Sequence, residues 1–259
     1  MLAVDIGNTF TRIVAFAGET IRTRKSLPTR ELELGALQNA FAECAAEAEA
    51  LSVWIASVNP GVNALVDSAA GRVGLERHFI KPGSDHIIAH ALKTPATTGV
   101  DRLLSAMAAG VLHFPGAAAS GGYVVIQCGS AATVDLVDGA GVFRGGYILP
   151  GPTMWLSGLS GGAQLPNLSN ELPDWNEVFV GDNTHDALVN GMHLALPVAV
   201  ASAALLINTP DGLPVGKEPL PAVVTGGWGA AALPYMRPRT VYEKDLLLHG
   251  IRLFAERNT

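Results

Sequence analysis

Three short stretches combine residue types that could move a phosphoryl group. Asp5-Ile6-Gly7-Asn8-Thr9 ends an apolar run in a carboxylate followed by a tight turn. Such a turn presents backbone N–H groups and hydroxyls to a phosphate, while the carboxylate orders Mg²⁺ or its water shell, a pairing that phosphoryl transfer needs. The same residues also read as ordinary hairpin punctuation. Gly129-Ser130-Ala131 is a second turn of this kind. Two Gly-Ser/Thr hairpins from two half-molecules, facing across a cleft, would form a phosphate clamp, whereas unrelated tight turns need no hydroxyls. The third stretch, Gly99-Val100-Asp101-Arg102, stands where a helix should begin. There an Asp can act as base toward an alcohol and an Arg can hold an anionic substrate bidentately. A first-turn Asp answering the helix dipole has the same sequence, and spacing alone does not choose.

The elements that must carry these stretches are legible as strands and helices in alternation. Apolar runs broken at Gly7-Asn8 predict a meander over residues 1–25, and Arg30–Ala50 has the apolar spacing and composition of a helix. Ser52–Ser57 reads as a buried strand stopped by Asn59-Pro60, Val62–Ala70 as a helix, and Gly99–His113 as a helix with Thr98 as N-cap. Phe114–Gly122 is small and turn-rich, and the domain boundary is expected there, giving halves 1–118 and 119–259. A second meander follows, with strands at Tyr123–Ile126, Ala132–Val137 and Val142–Ile148. A long helix from about Thr184, a strand at Ala222–Thr225 and a last helix at Leu246–Arg257 complete the chain. At an offset of 122 residues, Asp5-Ile-Gly7-Asn8-Thr9-Phe-Thr11 lies over Gln127-Cys-Gly129-Ser130-Ala131-Ala-Thr133, matching Gly and the last Thr. A duplicated meander with crossover helices is the expectation.

Composition excludes several classes. Of 259 residues 49% are hydrophobic and 15% charged, which provides for a large core and excludes a disordered chain. A net charge of -6 removes the positive footprint that binding to nucleic acid or an acidic membrane needs, so neither is expected as a partner. Cys44 and Cys128 are too few for a disulfide scaffold and fit a reducing, cytoplasmic setting. The first residues carry no basic segment, so no signal peptide is expected. Ala187–Pro210 is uncharged over 24 residues, but Pro197, Asn190, His193 and the acidic flanks Asp186 and Asp211 favour a buried helix suited to a subunit interface.

The ordered set of motifs resembles the type III pantothenate kinases, a family of the actin, sugar kinase and Hsp70 ATPase superfamily. It comprises Asp5–Thr9, Ser57-Val-Asn-Pro60, Gly99–Arg102, Gly129–Ala131, Gly145-Gly-Tyr-Ile-Leu-Pro-Gly151, Gly181-Asp-Asn-Thr184, Thr225-Gly-Gly227 and Asp245-Leu-Leu-Leu-His-Gly250. The resemblance implies an α/β fold of two similar ribonuclease H-like domains, each a mixed five-stranded sheet with helices, with an ATP cleft between them. It implies phosphorylation of pantothenate by ATP with Mg²⁺, on the way to coenzyme A, by a homodimer that also binds K⁺ or NH₄⁺. Residue by residue, it makes Asp5, Gly7, Asn8, Thr9, Thr11 and Arg12 the first ATP phosphate site, with Asp5 toward Mg²⁺. Gly129 and Ser130 form the second. Asp101 becomes the general base, Gly99, Val100, Asp101 and Arg102 hold pantothenate with Arg102 on its carboxylate, and Thr184 adds a polar contact.

Three departures accompany it. Gln127 stands where the family has a cation-binding Asp, Ser130 replaces Thr, and residues 84–98 lack the Tyr that the family places before Gly-x-Asp-Arg. A kinase with another small-hydroxyl substrate and a non-catalytic nucleotide-binding regulator are therefore the rival readings. His86 and His90 have the i, i+4 spacing of helical metal ligands but no third ligand, and edge histidines are expected. Gly226-Gly227-Trp228 is either an adenine border or a strand-to-helix turn, and Asp135 with Asp138 reads as a solvated hairpin.

Overall fold

The computed structural model of the chain describes residues 1–168, 175, 178–207 and 219–259. Contacts divide it into two compact units, Met1–Leu112 with Asp245–Thr259, and His113–Lys244.

In the first unit, β1 (Leu2–Ile6), β2 (Phe10–Ala17) and β3 (Thr20–Pro28) form the meander expected from the Gly-Asn turn, and α1 (Leu34–Ala48) leads to β4 (Ser52–Ser57). Helix α2 (Asn63–Arg72), strand β5 (Glu76–Ile80) and helix α3 (Val100–Leu112) follow. The sheet order is β3-β2-β1-β4-β5, with β1 antiparallel to β2 and parallel to β4. β1 is buried along its whole length, as its unbroken apolar run requires. Leu37, Phe41 and Cys44 of α1 and Val66 of α2 pack with Leu2, Val4, Ile6 and Ile55 in the core.

The second unit contains α4 (Ala117–Ser120), β6 (Gly122–Cys128), β7 (Ala131–Asp138), β8 (Phe143–Pro150), α5 (Pro152–Gly162), α6 (Thr184–Leu206), β9 (Ala222–Thr225), α7 (Gly229–Ala232) and β10 (Thr240–Tyr242). The sheet order is β10-β9-β6-β7-β8, again a central first strand antiparallel to its hairpin partner and parallel to a later strand. The faint repeat is thus a repeat of topology, and Asp5 and Gln127 occupy the same place in their sheets. This is the two-fold use of one mixed five-stranded sheet that defines the actin-like ATPase fold.

The sequence suggests a division at residues 118/119, and the contacts group the chain differently. The boundary falls at Leu112/His113, and α8 (Leu246–Asn258) returns to the first unit. The reason is steric: a Cβ on Gly250 would come under 3.0 Å from the Leu104 carbonyl, so glycine is what lets α8 lie against α3. Arg24 fixes the start of α8 with a two-pronged bond to Asp245, at 3.0 and 2.9 Å.

Other differences are local. His86 and His90 lie outside any helix, and His86 has a φ of 68°, which breaks the periodicity that their spacing suggested. Thr98 closes the 3-10 turn Pro95–Thr97 and is not the N-cap of α3. Asp135 is fully buried on β7, contrary to a solvated hairpin, while Asp138 is held by Arg144 and the amides of Ala140 and Val142. α6 alone among the described helices is long and apolar enough to cross a membrane, with mean hydropathy 1.6, and 39% of that stretch is buried within the protein. Residues 208–210, the end of the uncharged run, lie outside the described residues.

Candidate active site

Asp5 sits at the end of β1, where it would be deeply desolvated, and it is 7% exposed. The β1/β2 register puts Arg12 directly opposite, and its guanidinium donates to Asp5 Oδ2 at 3.0 Å. Burial pushes the Asp5 carboxyl above its ordinary range, and Arg12 opposes that shift only in part. A carboxylate left short of positive charge in this way suits a divalent cation or its water shell.

The turn after Asp5 is closed by Gly7 N–H donating to Phe10 O at 3.1 Å. It is braced by Thr29, whose hydroxyl donates to Gly7 O at 2.9 Å and whose N–H donates to Thr9 O at 2.8 Å. Thr11 is buried and its hydroxyl lies 3.1 Å from Thr29 Oγ1, so it stabilises the turn from behind. Asn8 and Thr9 remain exposed at the tip. Nothing in the spacing of the sequence pointed to Thr29, which is 22 residues from Gly7.

The second pair of functional residues opens α3. Arg102 N–H donates both to Gly99 O at 3.2 Å and to Asp101 Oδ1 at 2.9 Å. The carboxylate is thereby folded back over Gly99, where a Cβ would fall under 3.0 Å from Oδ1. Gly99 thus leaves room for the observed Asp101 rotamer. Val100 is buried.

In the second unit, the turn after β6 is gripped through its carbonyl oxygens. Cys128 O accepts from Trp228 N at 3.4 Å, Gly129 O from Trp228 Nε1 at 3.0 Å, and Ser130 O from Gly151 N at 3.2 Å. Gly151 and Gly226 have no Cβ because one would come under 3.0 Å from this backbone, and Gly226 has a φ of 95°. Turning three carbonyls into the protein removes negative dipole ends from the outer face, where an anion can then approach. Gly226-Gly227-Trp228 is therefore a strand-to-helix turn with a second task, holding the turn at Gly129. A Gly pair after a strand was the available signal; the indole bond was not legible.

Gln127 is half-buried between Thr133 on β7 and Thr225 on β9. The Thr133 hydroxyl is buried without a partner, and the Thr225 hydroxyl donates to Lys244 O at 3.3 Å. This neutral amide and hydroxyl set does not fit a firmly held monovalent cation, which needs an anionic ligand to offset its dehydration. Thr184 begins α6 and is exposed, and Asn183 caps that helix by accepting from Asp186 N at 3.0 Å. Among the described residues no cluster of three or more His, Cys, Asp or Glu side chains could hold a metal.

Asp5, Gly7, Asn8, Thr9, Thr11 and Arg12 thus form one group and Gly99–Arg102 another, both in the first unit. Gln127, Gly129, Ser130 and Thr184 belong to the second. The chain as a whole is similar to known proteins. A type III pantothenate kinase of Thermomicrobium roseum is 29% identical over 99% of this chain and 97% of its own. One from Thermus thermophilus is 30% identical over 99% of each. A crystal structure of a Baf family protein from Campylobacter jejuni shares the fold with a TM-score of 0.60, at 18% identity over 100% of this chain and 98% of its own. Residues 1–204 match the sequence profile of the type III pantothenate kinases, and the chain belongs to that family.

Proposed function

We propose that this protein transfers the γ-phosphoryl group of ATP to the primary hydroxyl of pantothenate, giving 4'-phosphopantothenate, the first step toward coenzyme A. The observation that carries the reading is Asp101, held in one rotamer by the Arg102 amide with Gly99 leaving it room, in a chain of this family. Its carboxylate takes the proton of the attacking hydroxyl as the new O–P bond forms and ADP departs. Arg102 binds the pantothenate carboxylate, the backbone at Gly99 and Val100 lines the substrate, and Thr184 adds a polar contact.

The exposed Asn8-Thr9 tip and the turn at Gly129-Ser130 donate hydrogen bonds to the nucleotide phosphates, and Thr11 holds the first turn in shape. Asp5, with Arg12 beside it, would hold Mg²⁺ through its water shell. When bound, Mg²⁺ supplies neutralisation of the charge on the phosphate oxygens. Gln127, lacking charge, leaves no firm site for K⁺ or NH₄⁺. The protein works in the cytoplasm as a homodimer, supported by exposed apolar side chains on one unit, among them Ile148, Met154, Leu194 and Val198.

ATP turnover with and without pantothenate tests the reading. The unmodified protein should release ADP only with pantothenate, and Asp101→Asn should lose about 10² to 10⁴ in rate. ADP release with another small alcohol and none with pantothenate would replace the substrate, and no turnover with either would reject the kinase.

A further inference from the structure

Between β5 and α3 the chain runs through residues 81–98 with one regular turn, the 3-10 turn Pro95–Thr97, and leads directly into Gly99-Val100-Asp101-Arg102. Local bonds hold the two ends of this segment. Lys81 N–H donates to Ser84 Oγ at 3.1 Å, and the N–H groups of Thr97 and Thr98 donate to the carbonyls of Thr94 and Pro95 at 3.2 and 3.1 Å. The middle differs. His86 has a φ of 68°, a left-handed conformation that costs free energy in a residue with a Cβ, and Ile87 beside it is buried at 4% exposure. The bond that meets this turn comes from 171 residues away, where Arg257 of α8 donates from Nη1 to His86 O at 3.1 Å.

Arg257 belongs to a stripe on its helix. Gly250, Phe254 and Arg257 stand at i, i+4 and i+7, which places them on one face of α8. Gly250 admits the Leu104 carbonyl of α3. Phe254 meets Trp54 of β4 edge-on, with centroids 5.7 Å apart and planes at 72°, and Trp54 stacks on His78 of β5 at 4.3 Å and 16°. The stripe therefore reaches the chain before the segment, within it and after it. Gly99–Arg102 lies between His86 and Leu104, two points held by the same helix.

The contacts of this stripe differ in kind. Close packing at Gly250 and the ring contact of Phe254 fix where α8 lies. The Arg257 bond is exposed, so it contributes little to folding, yet it bears on a residue whose backbone favours another conformation.

We propose that Arg257 is a positioning residue for substrate: by holding His86 in its left-handed turn it fixes the segment that leads into Gly99–Arg102. The proposal rests on Gly99–Arg102 as the pantothenate site. Arg257 acts through the backbone of His86. Without it the segment samples other conformations, and only a fraction of molecules presents the site. Apparent affinity for the alcohol substrate falls by that fraction, while the rate of the assembled complex and the nucleotide turn at Asp5–Arg12 keep their properties.

The test reads KM for pantothenate, KM for ATP, kcat and amide hydrogen exchange over residues 84–98 on the full chain, with the melting temperature as a control for folding. Arg257→Ala removes one hydrogen bond, so KM for pantothenate should rise about 3- to 10-fold while kcat and KM for ATP stay within about twofold. Exchange over 84–98 should quicken with little change in melting temperature. Arg257→Lys keeps a donor and should recover part of the loss. Adding His86→Gly to Arg257→Ala removes the Cβ that disfavours the left-handed turn, and should bring KM for pantothenate back toward that of the unmodified protein. An unchanged KM for pantothenate in Arg257→Ala, an equal rise in both KM values, or no recovery in the double variant would overturn the role and leave the kinase standing. A chain that turned over no pantothenate would reject the kinase instead. Faster exchange over 84–98 in Arg257→Ala, reversed by His86→Gly, would then still support the brace, and unchanged exchange would overturn it.

Discussion

Replacing Gly99 by Ala tests the placement of Asp101 without altering its carboxylate. The added methyl would fall under 3.0 Å from Asp101 Oδ1 and 3.6 Å from Val58 Cγ1. The second contact is ordinary; the first is not, and the carboxylate must swing away. It then gives up the 2.9 Å bond from Arg102 N–H, which keeps its other acceptor, Gly99 O, at 3.2 Å. A lost side-chain bond at a helix start costs about 0.5–2 kcal/mol. At roughly 2–4 °C per kcal/mol for a chain of this size, the melting temperature should fall by a few degrees. Catalysis should suffer far more, since a displacement of about 1 Å in a reacting group can cost about 10²-fold. Steady-state ADP release would separate the two effects. A cycle with Asp101→Asn then isolates the route: if Gly99 acts through Asp101, the double variant is no slower than Asp101→Asn alone. Wild-type kcat in Gly99→Ala, alongside the expected melting shift, would refute Asp101 as the base in this geometry.

Three further outcomes follow from the same structure. Turnover should respond little to KCl compared with a bulky inert cation, because Gln127, Thr133 and Thr225 provide no charge; Gln127→Asp should create a saturable dependence, and strong activation of the unmodified protein would show a substitute ligand. Light scattering should give about twice the 26.9 kDa chain mass, and Leu194→Glu, on the exposed side of α6, should yield the monomer; a stable monomer of the unmodified protein at micromolar concentration removes the dimer. Both thiols should be inert to a thiol reagent at pH 8 and react only on unfolding, since burial disfavours the thiolate and pushes Cys44 up to about 11 and Cys128 up to about 12; rapid labelling of either in the folded state contradicts this.

The elements that build the two central hairpins were legible because each is an apolar run ended by Gly with a small polar residue, a signal that local physics sets. What escaped were elements that tertiary contact creates. β5 reads Glu-Arg-His-Phe-Ile, with little apolar alternation, and forms because β4 offers an edge to pair with. α5 is rich in Gly and Ser, poor helix formers, yet Pro152 sets its first turn and Leu156 is buried beneath it. β10 is a three-residue strand that, among the described residues, pairs only with β9. The candidate site divides in the same way. Asp5, Asp101 and the turn at Gly129 announced themselves by type and spacing, whereas Thr29, Gly151 and Trp228 act at 22, 21 and 99 residues from the groups they support, a separation no local pattern can carry.

The duplication makes one asymmetry informative. Asp5 and Gln127 are equivalent positions in two sheets of the same order, and each precedes a turn assigned to phosphate. At Asp5 the opposite strand supplies Arg12, so the carboxylate is held and partly neutralised within the protein. At Gln127 the opposite strand supplies Thr133, a neutral partner. A carboxylate there would face a buried hydroxyl with no cation of its own and would repel an incoming phosphate unless a bound cation offset it. On the proposed reading, Gln127 would remove the need for that ion at its source. On the proposed assignment the turn at Gly129, its carbonyls tied back by Trp228 and Gly151, would hold the phosphate by hydrogen bonds and not by a recruited charge. Substituting Gln127 should therefore alter the ionic requirements of this enzyme before it alters its fold.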